Sequence, residues 1–190
     1  MKTKILLSLL VLFSLVACQK AAQIIPNINS GTSKTTPPPV VTVKPDTIPD
    51  KAVFKLKLSK DTINTDETAF IFKSTGKTTY NPMEDAPYFP GNGQVSLASI
   101  SSDGRDLAIN NLPYTPGMSI RLDAHTRASG AYSLAISYEN QIPTSIHIWL
   151  KDIYLKDSLD VSTKSYSFNV NLADTNSFGK NRFKVILKNQ

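Results

Sequence analysis

The chain has 190 residues, 41% of them hydrophobic and 19% charged, with a formal net charge of +6 and one cysteine. That length suits a single domain with a real core, and a lone thiol excludes both an intrachain disulfide and a cysteine-based metal cluster. The Lys and Arg residues are dispersed rather than gathered into a basic patch laced with aromatics, the pattern nucleic-acid binding requires, so no nucleic-acid partner is expected.

Met1-Lys2-Thr3-Lys4 is a positive start, and Ile5 to Val16 follow as an apolar run broken only by Ser8 and Ser14. The run is shorter than the roughly 20 residues a bilayer-crossing helix needs. Residues 1–17 therefore read as an export signal. The run ends Leu15-Val16-Ala17-Cys18, which resembles the lipobox of bacterial lipoproteins. The resemblance implies that Cys18 receives a diacylglycerol, becomes the first residue of the mature chain, and serves attachment rather than catalysis. Two or three acyl chains make a firm anchor where one is marginal. Loss of Lys2 and Lys4 with the signal leaves 19 basic against 15 acidic residues, a formal charge of +4. Gln19, where an Asp would imply inner-membrane retention, points to the outer membrane. The acidic cluster that often follows the cysteine of surface-exported Bacteroidetes lipoproteins is replaced by Gln19-Lys20-Ala21-Ala22-Gln23, so both the periplasmic and the extracellular face stay open.

Residues 18–51 read as the lipidated Cys followed by a Pro/Thr-rich tether, including Thr35-Thr36-Pro37-Pro38-Pro39. Such a composition buries too little apolar surface to offset the entropy of ordering, and its prolines favour extended polyproline geometry.

Residues 52–190 change texture. Phe54, Leu56 and Leu58 alternate with Lys55 and Lys57, the period of a half-buried strand. The alternation returns in Val95/Leu97, Leu107/Ile109, Ile120/Leu122, Tyr132/Leu134/Ile136/Tyr138, Ile146/Ile148/Leu150, Tyr166/Phe168/Val170 and Phe183/Val185/Leu187, with a more continuous run over 68–72. Asp103-Gly104 predicts a type I′ hairpin turn. No stretch has helical period. Short strands separated by turn signals predict one all-β domain, a single antiparallel β-sandwich.

In the C-terminal half, "SISSDGRDLAINNLP", "GAYSLAIS", "SIHIWLKDIYLKDSLDVSTKSYSFNV" and "NSFGKNRFKVIL" follow one another. Together they resemble β-sandwich modules near the C-terminus of large Bacteroidetes surface and secreted proteins. The matching positions include Asp103, Gly104, Leu107, Gly130, Tyr132, Asp152, Tyr166, Phe168, Arg182 and Phe183. The resemblance implies a sandwich without enzymatic activity of its own. In those proteins a type IX sorting domain often follows; here the lipid is expected to take over its role of attachment.

Candidate chemistry is sparse. His147 alternates with Ile146 and Ile148 and should face away from the core, while His125 reads as a loop residue. Neither has a nearby nucleophile with an orienting acid, and there is no Gly-x-Ser-x-Gly elbow. Catalytic residues, a metal site and a cofactor are therefore not expected. The acids at Asp61/Asp66/Glu67, Asp103/Asp106 and Asp157/Asp160 lack the spacing of a calcium loop and read as turn residues. Asp152 and Arg182, both at strand ends, should be structural, satisfying loop amides, loop carbonyls or an opposite charge.

Tyr80, Tyr88, Phe89, Tyr114 and Trp149 are the aromatics least explained by strand alternation. Trp149 should lie outward with His147 and Lys151, either to stack on a sugar or partner or to be covered by the 74–93 segment. The expected function is a lipid-anchored envelope lipoprotein presenting a non-enzymatic interaction module to an envelope protein or glycan. A carbohydrate-binding surface lipoprotein is the second reading.

Overall fold

The computed structural model describes residues 47–189; the signal segment, Cys18 and the tether up to residue 46 lie outside the described residues. The domain is all-β and mostly antiparallel, and its sheet curls nearly into a barrel. The strands are β1 (Val53–Ser59), β2 (Thr65–Phe72), β3 (Ala86–Pro87), β4 (Val95–Ile100), β5 (Asp106–Leu112), β6 (Ser119–Thr126), β7 (Gly130–Asn140), β8 (Ile146–Asp152), β9 (Asp157–Asp160), β10 (Tyr166–Val170) and β11 (Phe183–Asn189). They hydrogen-bond in the order β10-β7-β1-β2-β5-β4-β6-β11-β8-β9, with β3 added alongside β5.

Alternation builds the core. Phe54, Leu56 and Leu58 of β1 are fully buried, as are Phe70 of β2, Leu97 of β4, Leu122 of β6, Ile148 and Leu150 of β8, and Phe183, Val185 and Leu187 of β11. Phe54 stacks on Phe70 with ring centroids 4.5 Å apart. Burying each such side chain is worth about 1.5–3 kcal/mol. The chain already joins this core at Ile48, which is 9% exposed, and Lys51 N–H donates to the Phe72 carbonyl.

Tyr166, Phe168, Phe183 and Val185 are buried as their alternation predicts. They do not come from adjacent strands, however. β10 and β11 are separated by six strands in the sheet order, and Phe168 meets Phe183 across the core at 4.7 Å.

Several local expectations change in three dimensions. One pairing departs from the antiparallel pattern: β2 runs parallel to β5 from Ala69↔Ile109 to Phe72↔Leu112. β5 touches β4 only through Ser99↔Leu107 and Ile100↔Asp106, then leaves it for β2. A register shift opposite β3 leaves Ile109 36% exposed, although Leu107 is buried. A second irregularity between β1 and β7 leaves Tyr138 49% exposed, beside Lys55 Nζ at 5.9 Å from its ring centroid. The Asp103-Gly104 turn is not type I′, because Gly104 alone of the two has positive φ, at 90°. Gly104 N–H donates to the Ser101 carbonyl and Ser101 N–H to the Arg105 carbonyl. That is a tight turn closed by one left-handed glycine.

Where β4 and β5 part, polar side chains fill the interior. Thr68 Oγ1 accepts from Ser99 N–H at 3.2 Å and donates to the Leu107 carbonyl at 3.1 Å. Asn110 Nδ2 donates to Ser99 Oγ at 3.2 Å.

Candidate functional site

The outer surface of β6, β11 and β8 follows from their register. In β8, Ile146, Ile148 and Leu150 point inward, leaving His147, Trp149 and Lys151 on the other face. In β11, Phe183, Val185 and Leu187 take the core and leave Lys184, Ile186 and Lys188 outside. Lys184 lies opposite Lys151 on one side and Arg121 on the other; Ile186 lies opposite Trp149 and Ser119. Directly opposed residues share a face. Arg121, Lys184 and Lys151 therefore form a row of cations, with Ser119, Ile186 and Trp149 as the neighbouring row. With strands ~4.8 Å apart, the cationic row spans roughly 10 Å.

Lys188 Nζ sits 4.5 Å from the Trp149 ring centroid, a cation–π contact. Among the described residues, none of Arg121, Lys151, Lys184 and Lys188 takes part in an ion pair. Like charges placed directly opposite one another destabilise a sheet, so this row is costly to the fold alone.

Asp123, two residues along β6 from Arg121 on the same face, has Lys180 Nζ 3.9 Å from its carboxylate. Asp160, opposite Trp149 on β9, accepts from His147 Nδ1 at 2.5 Å. Partial burial pushes the Asp160 carboxyl up, but its hydrogen bonds from His147 and Ser162 outweigh that and hold it below the usual carboxylate range. His147 does face outward, and its buried Nε2 has no hydrogen-bond partner among the described residues. His125 belongs to β6 rather than to a loop, and its ring meets the Phe178 ring edge-on at 5.2 Å.

A cleft opens at the divergence of β4 and β5, with a volume of about 280 Å³. Arg121 lines it as well as beginning the cationic row. Asn110 also lines it; this residue is 1% exposed, and its Oδ1 has no hydrogen-bond partner among the described residues.

The other aromatics singled out in the sequence have separate surroundings. Tyr80 lies under the Arg105 guanidinium at 4.8 Å, and its N–H donates to Asp103 Oδ1. Tyr88 donates its hydroxyl to Asp66 Oδ2 at 2.6 Å; burial first, and then the Asp66 carboxylate, push its ionisation well above the usual tyrosine range. Phe89 is 82% exposed. Tyr114 meets Phe72 edge-on and donates to Asn189 Oδ1. The 74–93 segment turns to β5 instead of Trp149: Asp85 Oδ1 accepts from Asn111 N–H at 2.8 Å. Cys18 lies outside the described residues.

No group of three or more His, Cys, Asp or Glu able to hold a metal ion occurs among the described residues. No family model, no curated protein and no solved structure matches this chain.

Asn110, Arg121 and Lys184 are the site residues that local patterning misses. Asn110 reads as one more polar residue in "AINNL", because the irregularity that turns it inward is made with β3. The cationic row is assembled from three strands and has no signature along the chain.

Proposed function

We propose that this protein is a lipid-anchored lipoprotein of the bacterial outer membrane whose β-domain works as a non-enzymatic interaction module. In this reading Cys18 carries the lipid, the tether runs from residue 19 to the point where Ile48 joins the core, and the curled sheet packs as the two layers of a β-sandwich. The order of short motifs that resembles Bacteroidetes surface modules supports the same assignment. The observation that carries it is the outer surface on which Trp149 and Ile186 are framed by Arg121, Lys184, Lys151 and Lys188, none of the four ion-paired among the described residues. A sheet face that gains nothing from such charges alone is suited to meeting an acidic surface. Photo-crosslinking from position 151 in living cells tests it. A discrete crosslinked envelope component is expected, and its loss in a Trp149→Ala background would assign the contact to this face. Crosslinks distributed without preference, or unchanged by that substitution, would contradict the reading.

The second reading, a carbohydrate-binding lipoprotein, is favoured specifically by Trp149. An outward indole stacks on the C–H face of a sugar ring, and a neighbouring cation such as Lys188 suits polar or anionic substituents on that ring.

A further inference from the structure

We propose that the cleft and the cationic row form one continuous site for an acidic polysaccharide, with a uronate residue seated between Asn110 and Arg121. The inference rests on the carbohydrate reading and names the class of sugar.

The cleft has the chemistry of a monosaccharide subsite. Its volume of about 280 Å³ holds roughly nine waters at ~30 Å³ each, enough for one sugar ring but below the usual range of drug-sized pockets. Leu112, Met118 and Ile120 supply an apolar wall for the C–H face of a ring. Thr78, Ser102 and Thr115 supply hydroxyls that both donate and accept. Asn110 lines the cleft; its buried Oδ1 has no partner among the described residues, while Nδ2 of the same side chain is held by Ser99. A buried acceptor left unpaired costs ~1–3 kcal/mol, and a sugar hydroxyl is a donor that satisfies it. Arg121 is exposed, lines the cleft and forms no ion pair among the described residues. Its guanidinium matches a carboxylate through two parallel hydrogen bonds.

The register extends the site beyond one ring. From Arg121 the row continues to Lys184 and then Lys151, so a chain leaving the cleft meets a cation on each successive strand. Trp149 and Ile186 lie alongside as the apolar strip. A repeating acidic polymer matches this alternation. An anionic membrane matches it less well, since insertion needs apolar side chains that project into the lipid. The strongly exposed large hydrophobics, Ile63, Met83 and Phe89, belong to none of these three strands.

The test is titration of the purified full-length chain, in non-ionic detergent, with polygalacturonate, neutral dextran and phosphatidylglycerol vesicles. Polygalacturonate should bind in a salt-sensitive manner, and Arg121→Ala should weaken it by about tenfold, the loss expected for a charge-assisted pair. Lys184→Ala should weaken it less, and Met118→Trp, which fills the cleft, should weaken it without altering the salt slope. Thermal melts of each variant report folding; neither Arg121 nor Lys184 forms an ion pair among the described residues. Binding of dextran but not polygalacturonate would overturn the inference while leaving the carbohydrate reading in place. Binding of neither polymer would overturn both. Uronate binding that Arg121→Ala leaves unchanged, or vesicle binding that Arg121→Ala abolishes in the absence of uronate binding, would also overturn the inference.

Discussion

Arg182 and Asp152 face each other with both side chains fully buried, Arg182 Nη2 lying 2.9 Å from Asp152 Oδ2. The guanidinium Nε also reaches both carboxylate oxygens, at 3.3 and 3.1 Å, and Nη1 donates to the Asn169 and Ser177 carbonyls. Asp152 in turn accepts from Leu155 N–H and the Tyr166 hydroxyl. The Arg182 guanidinium rests against Phe168 at 4.6 Å and Phe183 at 4.8 Å. One cation thus ties β8 and β10 to the entry of β11.

Removing one partner of such a pair strands a buried charge. Arg182→Ala should cost ~3–5 kcal/mol in urea unfolding. Arg182→Lys should recover little, because an ammonium cannot reproduce the planar fork. The double change Arg182→Met with Asp152→Leu should cost less than Arg182→Ala, though two carbonyls still lose their donor. A loss below ~1 kcal/mol for Arg182→Ala would show that the pair does not hold the strands.

Asp123 presents the opposite case. Burial, followed by repulsion from Asp106, pushes its carboxyl above the usual range, against the pull of Lys180 and His125. Lys180 sits 2.6 Å from Asp106 but 3.9 Å from Asp123, and Asp123 Oδ1 has no hydrogen-bond partner among the described residues. A carboxyl raised in the folded state binds its proton more tightly there, so stability falls as pH rises through its ordinary pKa and then levels off above the folded value. Asp123→Asn should raise the melting temperature by a few degrees at pH 7, and the gain should vanish below the ordinary carboxylate range. An unchanged melting temperature at pH 7 would refute the assignment.

Gly76 is needed for space rather than for backbone freedom. A Cβ there would lie 2.7 Å from the Leu112 carbonyl carbon and 2.9 Å from Pro113 N, both backbone atoms that have little room to move. Gly76→Ala should destabilise by ~1–3 kcal/mol, as overpacking does, read as a lower urea midpoint. Gly91, with nothing near its built Cβ, is the control, and Gly91→Ala should leave the midpoint close to wild type.

The inward strands were legible because a residue's side of a sheet is set by its own neighbours in sequence. Phe54, Leu122, Ile148 and Phe183 need only period two to be placed. The structural role of Asp152 and Arg182 was legible too, from charges at strand ends. What escaped depends on pairing between distant segments. The irregularity opposite β3 exposes Ile109 and buries Asn110; nothing in residues 106–112 encodes β3, which comes from residues 86–87. The outward position of Trp149 follows from alternation, whereas Lys188 over its ring requires knowing that β11 pairs β8. The parallel β2–β5 pairing is a property of chain routing, which hydropathy does not record.

Trp149 separates surface function from stability. Its indole lies half-buried on the outer face, so Trp149→Ala should cost the domain less than the ~3–5 kcal/mol of a core aromatic, while removing the crosslinked partner in cells. Equal loss of stability and partner would mean that the ring is part of the core, and the interaction face would have to be sought elsewhere.

The anchor is the claim on which the whole reading depends, and intact-mass analysis of the mature N-terminus from membrane fractions tests it most directly. The account predicts a chain beginning at Cys18, with diacylglycerol on its sulfur and a mass that falls by the ester-linked acyl chains of that group on mild alkaline hydrolysis. A mature chain that begins at another residue, or an unmodified Cys18 in the membrane-bound protein, would contradict it.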